Sequence, residues 1–386
     1  MGPKQNILTP EQIQAFRDDG ILVVPNILSW EEVQISLSKL SETLHQYGVD
    51  MNDLKSTGHN LVKLSSTNGS GGVLDLFYPS FKLDIGTKES LFYATCELWE
   101  CCFRNDKHEQ QGMNEFEDCM EHPFESFPCD RGYMYIDRIG FRLPTQMAEE
   151  IGQRINDDQS QRMVCSKKKK RTKLAIQRSL TPHLDCCPET FNTTYKKSKW
   201  RPIQCFVSLT DNIEPNTGGF EAVRGGFHKE FNQWIETRQK TRVTKGGKEL
   251  EIEPPCMGEY THIRPKEDVD IMKRIEHIPV KAGSAVFWDN RIPHANAYMN
   301  NSDHSRIVVY CSFLPDIALN RDYVRKQLDD YQLGRIPRDQ WIEKETEKRN
   351  LFQMDANQED NHIEEQIDTD YVFTKLGKQL MMIDKW

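Results

Sequence analysis

The chain has 386 residues, of which 37% are hydrophobic and 28% charged, and its formal net charge is −9. This composition is typical of a globular protein with a sizeable core and excludes an intrinsically disordered chain. The negative charge disfavours nucleic acid as a partner, although a local basic patch remains open.

Several features favour a cytoplasmic protein. No apolar run approaches the roughly 20 residues of a membrane span, and the polar start, Met1–Asn6, is not typical of a signal peptide. The 11 cysteines have no regular spacing, which favours reduced thiols. The basic run Lys167–Arg171 favours a solvated surface segment, with a nuclear-localisation signal as the alternative. The oligomeric state stays open.

Residues 1–130 are predicted to form a helix, a strand, a second helix and a helical collar. Thr9-Pro10-Glu11-Gln12 has the pattern of a capping box with Pro at the first helical position. Ile21–Val24 then predicts a short buried strand, and Ser29-Trp30-Glu31-Glu32 opens the second helix. Leu91–Phe103 is apolar and predicts a buried helix.

Residues 131–316 are predicted to form a β-rich core. Many short strands separated by turn signals indicate a sandwich or barrel of jelly-roll type. Two polar stretches interrupt this core, a basic insert near 150–175 and a loop excursion near 236–274, and residues 317–386 are predicted to be a C-terminal helical extension. The predicted fold class is therefore α+β, with a mainly β core and flanking helices.

Three residues have the chemistry of one metal site. In an extended segment, residues two apart point to the same side, so His183 and Asp185 can reach one ion. His294 follows a predicted strand and a turn, and Arg306 begins the returning strand. Two histidines and one carboxylate leave three positions open on an octahedral Fe(II), as oxygen activation requires. A guanidinium such as that of Arg306 binds carboxylates in a two-pronged fashion.

The combination resembles the phytanoyl-CoA dioxygenase family of Fe(II)/2-oxoglutarate oxygenases. Three stretches carry the resemblance, and they occur in the family's order: LTPEQIQAFRDDGILVVPNILSWEEV, VSLTDNIEPNTGGFEAVRGGFHKEF and GSAVFWDNRIPHANAYMNNSDHSRIVVYCSFLP. The second departs from the family's Pro-Gly-Ser-His, because Val223–His228 reads VRGGFH. We therefore expect the family's oxygenase chemistry in this chain, but not the family's substrate.

The resemblance implies a double-stranded β-helix (jelly roll, cupin-like) core. It also implies His183, Asp185 and His294 as both metal ligands and catalytic residues, with Fe(II), 2-oxoglutarate and O2 as cofactors. Arg306 would anchor the far carboxylate of 2-oxoglutarate. Further co-substrate contacts are predicted at Asn296, at Gln204 or Phe206, and at Arg138, Tyr135 or Arg142.

The predicted function is a dioxygenase that hydroxylates or otherwise oxidises an unactivated C–H bond of a small molecule, releasing succinate and CO2. Basic residues flank the first ligands, Lys199 and Arg201 among them. If they surround the mouth of the site, an anionic substrate is favoured; a plain surface loop is the alternative. The competing prediction for the whole chain is a non-catalytic or differently catalytic metal-binding β-barrel of the same fold.

Overall fold

The computed structural model describes residues 6–66, 72–103, 122–124, 126–157, 176–178, 181–188, 191, 197–237, 242–245, 248–251, 261–337 and 371–386. Within these residues, no helix is both long and apolar enough to cross a membrane.

The amino-terminal part is helical, and both predicted capping boxes are present. The Thr9 hydroxyl accepts a hydrogen bond from the Gln12 N–H, and the Gln12 side chain accepts one from the Thr9 N–H. Ser29 and Glu32 repeat the arrangement. The elements are α1 (Pro10–Asp19), β1 (Ile21–Val24), α2 (Trp30–Gln46), α3 (Leu54–Thr57), a 3₁₀ helix (Gly58–Lys63), β2 (Val73–Leu74), α4 (Ser80–Gly86) and α5 (Glu89–Phe103).

The rest of the chain is dominated by strands. Its elements are β3 (Gly132–Arg142), α6 (Thr145–Asp157), β4 (His183–Leu184), β5 (Ile203–Ser208), β6 (Phe220–Val223), α7 (Phe227–Thr237), β7 (Arg242–Lys245), β8 (Lys248–Glu251), β9 (Thr261–His262), α8 (Val269–Met272), β10 (Ile275–His277), β11 (Ala285–Asp289), β12 (His294–Asn296), β13 (Arg306–Pro315), α9 (Ala318–Gln332) and α10 (Lys375–Leu380).

Two antiparallel sheets organise these strands. One has six strands in the order β1-β11-β5-β13-β3-β2, and the other has five in the order β10-β6-β12-β4-β9. β7 and β8 form a separate hairpin. The described residues thus form helices and two open antiparallel sheets, and no closed barrel.

The six-stranded sheet has a different hydrophobic core on each face. In β11, Ala285 and Phe287 join the core that includes the helices, while Val286 and Trp288 join the core shared with the five-stranded sheet. This alternation follows from the two-residue period of a strand. By the same period, inward residues of β5 and β13 lie between the sheets, and these are the residues that build the site.

The predicted basic insert begins as a helix. Helix α6 covers Thr145–Asp157, and its buried residues Ala148, Ile151 and Ile155 recur at intervals of three and four. The polar composition masked this narrow apolar stripe, which is sufficient to hold a helix against the core. The basic run itself lies outside the described residues.

The predicted loop excursion also contains ordered strands. It includes the β7–β8 hairpin and β9, and β9 pairs with β4, with His262 opposite His183. The excursion therefore supplies the edge of the five-stranded sheet next to a predicted metal ligand. Strands this short and polar have little pattern of their own, so β9 is defined by its pairing with β4, and β7 and β8 by their pairing with each other.

The thiols agree with the predicted reduced state at most described positions. Seven described cysteines carry thiols and no disulfide bond: Cys96, Cys101, Cys102, Cys129, Cys186, Cys205 and Cys311. The prediction is wrong at Cys187, which is disulfide-bonded.

Candidate functional site

His183, Asp185 and His294 converge on one point. Nε2 of His183 lies 3.4 Å from Oδ1 of Asp185, and Nε2 of His294 lies 3.5 Å from Oδ2. One potential ligand atom from each residue falls within 4.8 Å of the other two. The three side chains therefore form a group that could hold a single metal ion.

Strand pairing accounts for the proximity of the two histidines. β12 pairs with β4 in the five-stranded sheet, and His294 is the cross-strand partner of His183. Their ring centroids are 4.6 Å apart. Asp185 immediately follows β4, so the three residues meet although the two histidines are 111 positions apart in the sequence.

Backbone carbonyls orient both imidazoles. Nδ1 of His183 lies 3.1 Å from the Thr181 carbonyl oxygen, and Nδ1 of His294 lies 2.9 Å from that of Ile292. A carbonyl only accepts hydrogen bonds, so each Nδ1 carries the proton and each Nε2 presents a lone pair toward Asp185. The partners of both Nδ1 atoms are therefore backbone carbonyls, and not the side chains of Cys186 or Asp289, which lie near the ligands in the sequence.

A buried ion pair holds the turn that precedes His294. Nε and Nη2 of Arg291 each lie 2.8 Å from a different oxygen of Asp289. Burial raises the pKa of Asp289, but the guanidinium outweighs this effect and the pKa falls below its usual value. The Asp289 N–H also donates to the carbonyl of Gly20, which ties the turn to the segment before β1. The turn thus places the carbonyl of Ile292 under His294.

Charge in the triad favours a bound cation. Burial raises the pKa of Asp185, but in the absence of metal the charge and hydrogen bonds of the two imidazoles in their protonated form outweigh this effect, and the pKa lies well below the usual range. Burial, followed by the charge of His183, lowers the pKa of His294. An ionised carboxylate and a neutral imidazole are the forms that ligate metals.

Arg306 lies buried between the sheets with unused hydrogen-bonding capacity. It is 1% exposed, and its Nη1 lies 3.3 Å from the Tyr310 hydroxyl. Its Nε and Nη2 have no hydrogen-bond partner within the described part of the chain. Its Cζ lies 5.2 Å from the centre of the Phe206 ring. Leaving buried charged donors unpaired is costly, so this pocket suits an anion.

A second buried guanidinium lies beside Arg306. Arg142 is its cross-strand partner on β3 and donates to the carbonyls of Tyr298 and Arg178. Burial, followed by the charge of Arg306, lowers the pKa of Arg142 to about 10. The two neighbouring cations add to the positive potential in this end of the site.

Tyr310 completes the surroundings of Arg306 and was not predicted. Its hydroxyl oxygen accepts hydrogen bonds from Asn296 Nδ2 at 3.0 Å and from Arg306 Nη1 at 3.3 Å. Two donors to one oxygen leave the phenolic proton to point elsewhere. The alternation of residues 306, 308 and 310 along the strand could have identified it, since all three face the same side.

Gly140 makes room for this arrangement. A Cβ atom at this position would lie 3.2 Å from both Arg306 Nη1 and the Tyr310 hydroxyl, and 2.7 Å from Val308 Cγ2. Glycine is therefore required by close packing on β3.

Of the other predicted co-substrate contacts, Asn296 is linked to the Arg306 pocket, whereas Gln204 and Arg138 have other partners. Asn296 reaches the Arg306 pocket through Tyr310, as described. Gln204 instead donates from Nε2 to Oδ2 of Asp185 at 2.6 Å. The Nε of Arg138 lies 2.6 Å from Asp75 Oδ1, and its Cζ stacks 5.4 Å from the Phe77 ring. These contacts engage Arg138 with the segment between β2 and α4.

Two hydrogen bonds connect the sheets at the site. Gln204 on β5 bonds Asp185 after β4, and Asn296 on β12 bonds Tyr310 on β13. The His-Asp-His group belongs to the five-stranded sheet, and the Arg306 pocket belongs to the six-stranded sheet. The site is therefore an inter-sheet site.

No protein-family model matches the chain, and no curated protein matches it by sequence. Solved structures do share its fold. GlcNAc Inducible Gene 2, GIG2 (DUF1479), from Candida albicans matches with a TM-score of 0.60 and 15% identity over 99% of this chain and 78% of that chain. The hypothetical protein JW0805 from Escherichia coli matches with a TM-score of 0.56 and 15% identity over 98% of this chain and 82% of that chain.

A weaker likeness links the chain to the non-heme alpha ketoglutarate dependent carbocyclase SnoK from nogalamycin biosynthesis. The TM-score is 0.41 and the identity 14%, over 82% of this chain and 87% of that chain. A score at this level bears on neither fold nor activity. Function therefore has to be argued from the site.

Proposed function

We propose that the chain is an Fe(II)- and 2-oxoglutarate-dependent dioxygenase that oxidises an unactivated C–H bond of a small molecule. The support is the His-Asp-His group, the anion pocket at Arg306, and the sequence resemblance to the phytanoyl-CoA dioxygenase family. In this proposal the two sheets are the walls of a double-stranded β-helix, and the site lies between them.

The three ligand candidates fit Fe(II). His183 and His294 would bind through Nε2, since each Nδ1 is committed to a carbonyl. Asp185 would bind through its carboxylate. Two nitrogens and one oxygen with three open positions are the donor set of non-haem Fe(II) oxygenases.

The Arg306 pocket fits the far carboxylate of 2-oxoglutarate. Nε and Nη2 are the two unpartnered nitrogens of a buried guanidinium, and such a pair binds a carboxylate with two parallel hydrogen bonds. The Tyr310 hydroxyl offers a third donor, and Asn296 holds that hydroxyl in place.

Once bound, Fe(II) and 2-oxoglutarate supply an O2-derived oxidant, and the co-substrate leaves as succinate and CO2. The chain's own part is to hold and orient. Arg306 fixes one end of the co-substrate, and the carbonyls of Thr181 and Ile292 fix the imidazoles. The Trp288 and Phe220 rings lie 5.1 and 5.7 Å from that of His294 and keep water from it.

The observation that carries the proposal is the buried guanidinium of Arg306. Two of its nitrogens have no partner among the described residues, and it lies between the same two sheets as the three ligand candidates. The test is anaerobic titration of the protein with Fe(II) and then with 2-oxoglutarate. We expect one equivalent of each to bind and the visible charge-transfer band of a 2-oxo acid chelated to Fe(II) to develop. Binding of Fe(II) with no band at saturating 2-oxoglutarate would contradict the co-substrate assignment.

Turnover separates the oxygenase from a metal-binding protein without catalysis. We expect succinate release coupled to oxygen uptake, first in the slow reaction without substrate and faster when a substrate is added. If Fe(II) and 2-oxoglutarate bind but succinate never forms across a broad substrate screen, the non-catalytic alternative replaces the proposal.

The substrate class rests on the approach to Asp185. This carboxylate is the most exposed of the three ligands, with 27% of its side chain exposed against 7% for each histidine. Lys199 and Arg201 are buried near Tyr135 and do not form an open basic rim. These two residues therefore give no preference for an anionic substrate, and the first screen should compare anionic small molecules with neutral lipids and alkaloid-like molecules.

A further inference from the structure

The two carboxylate oxygens of Asp185 have different surroundings. Oδ1 faces Nε2 of His183 at 3.4 Å, and that nitrogen carries a lone pair. Oδ2 faces Nε2 of His294 at 3.5 Å, but it also accepts a hydrogen bond from Gln204 at 2.6 Å. In addition, Nη2 of Arg201 lies 4.0 Å from Oδ2. Protein donors and positive charge therefore gather on one oxygen.

The Gln204 contact is geometrically constrained. Gln204 is 3% exposed and lies on β5, between β11 and β13 in the six-stranded sheet. An ionised carboxylate only accepts, so the amide nitrogen must face Asp185. Hydrogen bonds to a charged group are shorter and stronger than neutral ones, and the 2.6 Å distance is of this kind.

Arg201 is held in place from two further directions. Its Nη1 lies 3.2 Å from Oδ2 of Asp137, and its Cζ lies 4.5 Å from the centre of the Tyr135 ring. The neighbouring Pro202 carbonyl accepts a hydrogen bond from the N–H of Asn290, in the turn before His294. The segment that carries Arg201 is thus tied to the segment that carries a metal ligand.

We propose that Gln204 and Arg201 are positioning residues that hold Oδ2 of Asp185 and leave Oδ1 to bind the metal. The inference rests on the proposed metal site and goes beyond it. It assigns Gln204 to the ligand carboxylate and not to 2-oxoglutarate, and it gives Arg201 a role in the site although neither residue binds the ion.

The first test replaces Gln204 by leucine, which removes the donor without changing charge. We expect the dissociation constant for Mn²⁺, measured by calorimetry, to rise 10–100-fold, as is usual when the partner of a metal ligand is lost. We also expect the infrared splitting between the two carboxylate stretches of isotope-labelled aspartate to narrow in the Mn²⁺ protein, because both oxygens then become ligands. Gln204→Leu with unchanged affinity and splitting would overturn the inference.

Lys199 provides a matched control. It is buried and its Nζ lies 5.2 Å from the same Tyr135 ring. Lys199→Met therefore removes a neighbouring cation from the ring that supports Arg201. We expect it to keep Mn²⁺ affinity within about twofold, while circular dichroism verifies that each variant is folded.

The role of Arg201 is tested by whether its replacement strengthens or weakens Mn²⁺ binding. Loss of a cation near the site strengthens the binding of Mn²⁺ if charge alone matters, whereas loss of a positioning residue weakens it. We expect Arg201→Met to weaken binding and Arg201→Lys to recover part of the loss. Tighter binding by Arg201→Met would overturn the assignment of Arg201.

Mn²⁺ binding by the wild-type protein distinguishes failure of the proposed metal site from failure of the proposed positioning role. If it binds no Mn²⁺, or if Asp185→Ala binds as well as wild type, then the proposed metal site fails. If wild type binds and Gln204→Leu and Arg201→Met behave as wild type does, then only the positioning role fails.

Discussion

Arg306 and Tyr310 form a pair on one face of β13, with Nη1 of the guanidinium 3.3 Å from the phenolic oxygen. Because Asn296 donates to the same oxygen, the pair is fixed from the opposite sheet. Nε and Nη2 of Arg306 remain without partners among the described residues. This relationship, more than the triad, is what supports the proposed co-substrate pocket.

Replacement of Arg306 by methionine is expected to weaken 2-oxoglutarate binding at least about 100-fold. Two hydrogen bonds between charged groups are lost, each contributing about 1.5–3 kcal/mol, and 1.4 kcal/mol corresponds to a factor of ten. Calorimetry on the Mn²⁺ protein measures the effect. Arg138→Met is the matched control, because Arg138 pairs with Asp75. An equal loss in that variant would move the anchor to Arg138, where the sequence also allowed it.

Gly140→Ala is expected to impair 2-oxoglutarate binding more than metal binding. The new methyl group would lie against Arg306 Nη1, the Tyr310 hydroxyl and Val308, and overpacking of this kind costs about 1–3 kcal/mol. The Mn²⁺ dissociation constant of the same variant serves as the internal control. Equal effects on both ligands would mean that the whole site had shifted.

Bound metal should stabilise the fold through the triad. With free Mn²⁺ at about 100 times its dissociation constant, the free energy of unfolding should rise by about 2.7 kcal/mol, and chelation should reverse the gain. Asp185→Ala should abolish the metal-dependent gain. Asp303→Ala removes an exposed aspartate that also contacts a histidine, His304. The gain should survive in this control, and its loss there would argue for nonspecific binding.

Asp289→Asn is expected to destabilise the protein by about 3–5 kcal/mol, because the buried Arg291 guanidinium loses the carboxylate that balances its charge. The pKa of Asp289 is lowered in the folded state. Its contribution is therefore complete above the unfolded pKa of about 3.9 and is lost as the pH falls toward the folded pKa. Urea unfolding at neutral pH measures the change. Asp322→Asn breaks an exposed pair with Arg325 and should cost about 0–1 kcal/mol.

The sequence sufficed for features that depend on neighbours along the chain. Both capping boxes and the buried helix at Leu91–Phe103 were predicted from local pattern, and these residues lie in α5. His183 and Asp185 were predicted to share a side because they are two residues apart. Asn296 was placed near Arg306 only through the family resemblance.

Features that depend on distant pairing were missed. The contact of Gln204 with Asp185 crosses between the two sheets. No local sequence pattern indicates which inward-facing residue of one sheet contacts which residue of the other. The edge strand β9 exists through its pairing with β4. Tyr310 looked like any β-forming residue until the arrangement of the two sheets gave its hydroxyl two donors.

The inter-sheet character of the site has a consequence for motion. β4 and β12 are buried but only two and three residues long, so few ladder hydrogen bonds hold each strand and their amides can exchange through local opening. A metal ion bound by His183 and His294, and a co-substrate held by Arg306 on the other sheet, would tie the two layers together. Amide hydrogen exchange in β12 should therefore slow in two stages, first with metal and then with 2-oxoglutarate, while exchange in β13 should respond to the second ligand.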